Sequence, residues 1–113
     1  MSARSFCTVE ASTKRNADLG SGRTGAPATN VVGLLVTPLW PVSREIVTVA
    51  ALNSPREFKE CYHVPAAGAS LPDVLEGDVL VHGGGEYRIA YVGEWADGDV
   101  ACLTIVCQQI KGT

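Results

Sequence analysis

The sequence has few aromatic residues, few charges and no long hydrophobic run, and each shortage excludes a class of protein. Two Trp, three Tyr and two Phe stand among 113 residues, so Val, Leu, Ile and Ala must fill most of any core. Charged residues make up 19% of the chain against 46% hydrophobic residues, which is typical of a folded globule rather than a disordered chain. At this length, residues 1–113 form a single domain with a modest core.

No stretch of the sequence is suited to a membrane or to secretion. The longest apolar stretch, near Val31 to Pro41, falls far short of the about 20 residues that a transmembrane helix needs, and Pro38 interrupts it. The first residues, MSARSFCTVEAS, lack the hydrophobic core of a signal peptide, which predicts synthesis in the cytoplasm. A net charge of −3 argues against tight binding of duplex DNA, but it is compatible with DNA passing nearby.

Motifs for metals and cofactors are missing as well. The four cysteines include no Cys-x-x-Cys pair, and Cys102 and Cys107 fall on opposite faces of a regular strand. We therefore predict that all four, including Cys7 and Cys61, are small buried side chains, and we predict no metal and no cofactor. The formal G-x-G-x-x-G from Gly20 to Gly25 lacks the buried strand before it and the helix after it that dinucleotide binding requires.

One nucleophilic pair is conceivable. Cys61 and His63 are two residues apart and share one face of a probable strand. The sequence supplies no third group to orient such a pair, so we predict an exposed histidine on a strand face and no catalytic residue. A thiol-dependent enzyme is the weakest of the alternatives.

What the sequence does contain is a run of β-prone segments in residues 71–111. The segments Val79 to Val81, Tyr87 to Val92 and Val100 to Ile110 are separated by the turns Gly83-Gly84-Gly85 and Asp97-Gly98. Glycine adopts positive φ without steric cost, so these turns predict a meander of three antiparallel strands.

Side-chain parity predicts which faces of these strands are buried. In the second segment Tyr87, Ile89 and Tyr91 share one parity, and in the third segment Leu103 and Ile105 share one face. A period of two residues is typical of a strand with one face toward the core.

The N-terminal half predicts two strands joined by a long loop. A first strand spans Ser5 to Thr13, with its apolar side chains on the parity of Cys7. Lys14 to Asn30 is polar, rich in Gly and without periodicity, which predicts a long loop of the kind that is often functional. Val31 to Thr37 is almost continuously apolar and predicts a buried strand.

The middle of the chain is less clearly patterned. Trp40, between two prolines, could cap the core or stand on an interface, and we favour the core. Val42 to Leu52 is either extended or one short helix. Asn53 to Arg56 predicts a turn, followed by a strand through Val64. The whole chain is thus predicted to be a mainly β protein with little helix.

A structural signature runs through the second half of the chain. It combines a turn before an apolar residue pair, a tyrosine strand and a final tryptophan; its members are Leu52-Asn53-Ser54-Pro55, Phe58, Tyr62, Glu76-Gly77-Asp78-Val79-Leu80, Glu86-Tyr87-Arg88-Ile89, Val92, Glu94-Trp95 and a last strand ending at Lys111. This pattern resembles the small head-closure proteins of tailed phages, also called stopper or head-completion proteins. The order of strand, Gly-rich loop and apolar strand in the N-terminal third resembles that family too.

The resemblance implies a small antiparallel β-barrel of SH3-like, head-closure type that has a structural role in the virion and no enzymatic activity. Its subunits would form a homo-oligomeric ring, a hexamer or dodecamer, at the phage neck. The portal and adaptor would lie above the ring, the tail terminator or tail tube below, and genomic double-stranded DNA would pass through the lumen. The alternatives are another neck or tail component, such as an adaptor or tail terminator, or a small-barrel module that binds a peptide or single-stranded nucleic acid.

Within this interpretation the loops carry the function. Weak contacts from a loop that is repeated in every subunit of a ring would add together. The expected surfaces are the barrel edges and the segments Lys14 to Asn30 and Val42 to Pro55. The candidate residues for assembly and lumen contacts are basic or aromatic: Lys14, Arg15, Arg23, Trp40, Arg44 and Arg56.

Overall fold

A computed structural model gives the fold as one antiparallel sheet. It describes residues 6–20, 23–43, 57–66, 69–97 and 100–111. The sheet has seven strands in the order β2-β1-β5-β6-β7-β4-β3. Their bounds are β1 Val9–Gly20, β2 Arg23–Val36, β3 Trp40–Pro41, β4 Phe58–His63, β5 Val79–His82, β6 Gly85–Asp97 and β7 Val100–Lys111. The prediction of a mainly β, antiparallel protein with little helix is confirmed.

The predicted C-terminal meander is present as β5, β6 and β7. His82 pairs with Gly85, so only Gly83 and Gly84 form the first turn. Their φ angles of 58° and 85° lie in the left-handed region, as a two-residue type I′ hairpin requires. This turn twists in the same sense as the strands it joins, which explains why a Gly run stands here.

The parity predicted for β6 holds only in part. Ile89 is buried and Tyr87 packs against the main core, but the pairing with β7 shifts by one residue between Ile89 and Tyr91. This β-bulge turns Val92 toward the core in place of Tyr91, whose ring lies along Gly93. The prediction that Tyr91 shares the buried face is therefore wrong, because one inserted residue reverses the alternation.

The predicted loop from Lys14 to Asn30 is also wrong, because most of it is β-hairpin. β1 and β2 pair antiparallel from Val9↔Val36 out to Gly20↔Arg23, with several register shifts. Only Ser12, Thr13 and Lys14 of β1 pair with β5; beyond them the described part of β1 pairs with β2 alone. A two-stranded ribbon satisfies its backbone hydrogen bonds without an apolar face, so hydrophobic periodicity does not reveal it.

The strand prediction for Val31 to Thr37 is right for its position but not for full burial. Leu34 and Val36 are buried, whereas Val32 is 73% exposed. Ala11↔Leu34 is followed by Thr13↔Val31, so β2 carries one extra residue, and Gly33 has a φ of 65°. This bulge reverses the inward parity of β2 and turns Val32 to solvent.

The main core lies on one face of the sheet, and β7 runs through its middle. Residues 102–107 of β7 are all buried because β6 and β4 flank the strand and both of its faces are covered. Leu103, Ile105 and Cys107 join the main core, while Cys102 packs with Cys7 and Val64 in a second cluster. The opposite orientation of Cys102 and Cys107 is thus confirmed. All four cysteines are free and buried, as predicted.

The end of β2 approaches β4, the last strand but one on the other side of the strand order, through Thr37 and Tyr62. The Thr37 N–H donates to the Tyr62 carbonyl at 2.9 Å, and the Tyr62 N–H donates to Thr37 Oγ1 at 2.9 Å. Among the described residues no ladder joins β2 to β3 or β4, so the sheet is not closed into a barrel there. No described helix is both long and apolar enough to span a membrane.

Candidate assembly surfaces

Arg15 joins the β1–β2 hairpin to the rest of the chain through hydrogen bonds to Asp78 and Asp73. Its Nε donates to Asp78 Oδ1 at 2.8 Å and its Nη2 donates to Asp78 Oδ2 at 2.8 Å, a bidentate pair. Its Nη1 donates to Asp73 Oδ2 at 2.9 Å, and Nη2 also donates to the Asp73 carbonyl at 3.1 Å. The guanidinium of this predicted lumen residue is therefore directed to carboxylates of its own chain.

The charges of this cluster are mutually stabilised. The hydrogen bonds that Arg15 donates to Asp78, and then those to Asp73, raise the pKa of Arg15 further above its ordinary value. The hydrogen bond from Arg15 lowers the pKa of the Asp73 carboxyl. Asp78 is 3% exposed and also accepts the Leu75 N–H at 3.0 Å, so its carboxylate is buried with several donors.

The Gly77-Asp78 turn connects this cluster to β6. The Gly77 N–H donates to the Ile89 carbonyl at 2.8 Å, and the Ile89 N–H donates to the Asp78 carbonyl at 2.8 Å. Gly77 has a φ of 90°, a conformation that side-chain-bearing residues rarely adopt. The Gly-Asp pair of the sequence signature thus positions a carboxylate for an arginine that is 63 residues away in the chain.

Two further contacts, one from each hairpin strand, join the β1–β2 hairpin to the rest of the chain near Arg15. Asn30 on β2 donates through Nδ2 to the Asp73 carbonyl at 2.8 Å, so both hairpin strands contact the segment before β5. Lys14 Nζ lies 3.2 Å from Glu86 Oε2, with both side chains partly exposed. An exposed pair of this kind contributes little, about 0–1 kcal/mol, so the Arg15 cluster is the stronger anchor.

The other basic candidates are not placed beside these two. Arg23 begins β2 opposite Gly20, far along the hairpin from Lys14. Arg44 and Arg56 lie outside the described residues. Lys14 and Arg15 are neighbours in the middle of β1, whereas Trp40 lies on β3 at the other edge of the strand order.

Trp40 lies at the other edge of the strand order and covers a buried acid. Its Nε1 donates to Glu60 Oε1 at 3.2 Å, and the Ser43 N–H donates to the same oxygen at 3.0 Å. Its half-buried ring packs edge-on against Tyr62, with centroids 5.2 Å apart, and Tyr62 packs in the same way against Trp95 at 5.5 Å. Trp40 thus caps an internal side chain and keeps part of its ring exposed at the sheet edge.

Sequence reasoning missed Glu60, the most deeply buried acid among the described residues at 1% exposure. Its Oε2 has no hydrogen-bond partner in the described part of the chain. In a strand, Glu60 lies on the same side as Phe58 and Tyr62. An acid between two aromatic residues on one side of a strand was the sequence feature that could have indicated this buried position.

The conceivable Cys61–His63 pair does not form. Cys61 has no exposed surface, and burial raises the pKa of its thiol, so a thiolate is disfavoured. His63 donates through Nδ1 to the Leu35 carbonyl at 2.7 Å instead. Burial likewise raises the pKa of Cys107, to about 12. No group of three or more His, Cys, Asp or Glu within the described ranges is arranged to hold a metal ion.

Comparisons of the chain with protein families, with curated proteins and with solved structures find no match.

Proposed function

We propose that this chain is a structural protein of the neck of a tailed phage. Its copies form a ring that closes the DNA-filled head below the portal and adaptor and offers a docking surface to the tail. The proposal begins from the resemblance of residues 52–111 to head-closure proteins. Localisation in the virion, the ring and the neighbouring proteins are all parts of this one proposal.

The observation that carries the proposal is the anchoring of the long hairpin by Asp78. Gly77-Asp78 belongs to the family-like signature, and Asp78 holds Arg15 at the point where β1 leaves β5. A hairpin fixed at its base and paired beyond it only with itself is suited to reach a neighbouring subunit or a lumen. The structural signature and the hairpin are thereby linked by an ion pair whose carboxylate is buried.

The proposal includes a closed β-barrel, which is a more specific fold than an antiparallel sheet. The Thr37–Tyr62 hydrogen bonds join the end of β2 to β4 from opposite sides of the strand order, which supports the approach that a closing barrel needs. A mildly acidic barrel can surround DNA without gripping it, since affinity for the phosphates grows with each basic contact.

The test is electron microscopy of the purified protein and of phage particles that carry it. We expect rings from the purified protein and density for it at the head–tail junction. A strict monomer that is absent from particles would contradict the proposal.

A module for single-stranded nucleic acid is the second candidate, and the row Trp40–Tyr62–Trp95 favours it, because such proteins stack bases on aromatic rings. The three rings are half-buried and pack edge-on against one another, which leaves little free face for stacking, so we rank this function below the neck. Titration with single-stranded DNA at modest salt separates the two, because saturable binding supports only the module.

A further inference from the structure

An open groove lies between the segment before β5 and the ends of β6 and β7. It has a volume of about 530 Å³. Leu71, Val74, Val92 and Leu103, which belong to or pack on the main core, line it. Leu75 stands beside them with 53% of its surface exposed. Pockets of this size and apolar lining commonly receive a bulky side chain of a ligand or partner.

The walls of the groove are acidic. Asp73, Glu76 and Glu94 line it, and no Lys or Arg of the described chain does. Asp73 is paired with Arg15, but Glu76 and Glu94 are exposed and form no salt bridge with any described residue. A partner that complements this groove therefore carries an apolar anchor and a cation on the same side.

The chain itself carries such a segment. Phe6 is 59% exposed, the only large aromatic side chain so exposed among the described residues, and Arg4 precedes it by two positions. Arg4 and Phe6 are only two positions apart in the sequence, so one short segment offers both the apolar anchor and the cation that the groove calls for. Because Phe6 is exposed, it does not occupy the groove of its own chain.

The other exposed apolar side chains fit less well. Val32 and Leu35 lie in a stretch without charge, Asn30 to Thr37. Ile110 has no charged residue two positions away in the sequence, since Gln108 precedes it and Gly112 follows it.

We propose that the groove receives Phe6 of a second copy of this chain, with Arg4 of that copy at Glu76 and Glu94. The contact joins two different surfaces and is therefore head-to-tail, the geometry that builds rings. It rests on the ring proposed above and names one of its subunit contacts.

The test uses a fluorescein-labelled peptide, SARSFST, which corresponds to residues 2–8 with serine in place of Cys7. It is titrated into the full chain carrying Phe6→Ala, whose grooves cannot be filled by neighbouring copies, and anisotropy is recorded. We expect saturable binding that weakens more than about tenfold when the peptide lacks its phenylalanine, the effect of removing an interface anchor. Glu94→Lys, added to the full chain, should weaken binding of the peptide by a similar factor. Glu10→Lys makes the same change of charge on β1 and should leave peptide binding unchanged.

Sedimentation velocity of the wild-type chain and of Phe6→Ala separates this inference from the ring itself. Loss of the wild-type assembly in Phe6→Ala supports the contact. A peptide that does not bind, or that binds Glu94→Lys and Glu10→Lys equally, overturns the contact even where the wild-type chain forms rings. A wild-type chain that stays monomeric overturns the ring.

Discussion

At the scale of single residues, the ion pair between the buried Asp78 and the half-buried Arg15 holds the hairpin against the rest of the chain. Replacing Asp78 with Asn leaves the Arg15 guanidinium beside a neutral amide that cannot accept both of its bonds. We expect Asp78→Asn to lower the free energy of unfolding by about 2–3 kcal/mol, because the change removes a charge-assisted bidentate hydrogen-bond pair at a buried position. Urea unfolding followed by circular dichroism measures this loss.

The surface pair next to it provides the matched control. Glu86→Gln removes the partner of Lys14, and both of these side chains are partly exposed. We expect Glu86→Gln to lower the free energy of unfolding by less than about 1 kcal/mol. Equal losses for the two variants would mean that Asp78 does not anchor the hairpin more strongly than an exposed pair.

Asp73 gives this residue cluster a pH dependence. Its pKa is lowered by the hydrogen bond from Arg15, so the stabilisation it contributes is present above the ordinary aspartate pKa, about 4. That stabilisation is lost as the pH falls through the lowered pKa of the folded state. Asp73→Asn should therefore be less stable than the wild type at pH 7, and the difference should shrink at pH 3. Urea midpoints at the two pH values test this, and a difference that grows toward acid would contradict it.

At the scale of elements, the β5–β6 hairpin depends on its two-residue turn. Gly84 has a φ of 85° and open space around it, so a side chain there meets backbone strain rather than a steric neighbour. We expect Gly84→Val to lower the free energy of unfolding by about 1–2 kcal/mol. Gly83→Asn should be close to neutral, because asparagine before glycine is favoured in type I′ turns. Thermal unfolding of both variants measures the contrast, and equal losses would argue against the I′ turn.

At the scale of the whole molecule, the four buried thiols report on global unfolding. They occupy two clusters that share β7, and the pKa of Cys61 is raised by burial. We expect a thiol reagent at pH 8 to modify them slowly in the native protein and all together once denaturant unfolds it, because a buried thiol reacts only after opening. Mass spectrometry of partly modified samples checks this. A single thiol that reacts rapidly in the native state would show local opening at that cysteine.

The sequence by itself determined the features that depend on neighbouring residues. The β5–β6–β7 meander follows from alternation and from glycines that permit positive φ. The burial of the cysteines follows from their small apolar side chains and the absence of a metal-binding motif. Only the tertiary structure decided that Lys14 to Asn30 is largely hairpin, because its strands are bonded to each other through the backbone and carry no periodic apolar face. Bulges beside Gly33 and Tyr91 escaped prediction because a single inserted residue reverses the alternation of a strand. Arg15 and Asp78 are 63 residues apart, and Trp40 and Glu60 are 20 apart; no local pattern pairs such residues, because their contacts exist only once the sheet has formed.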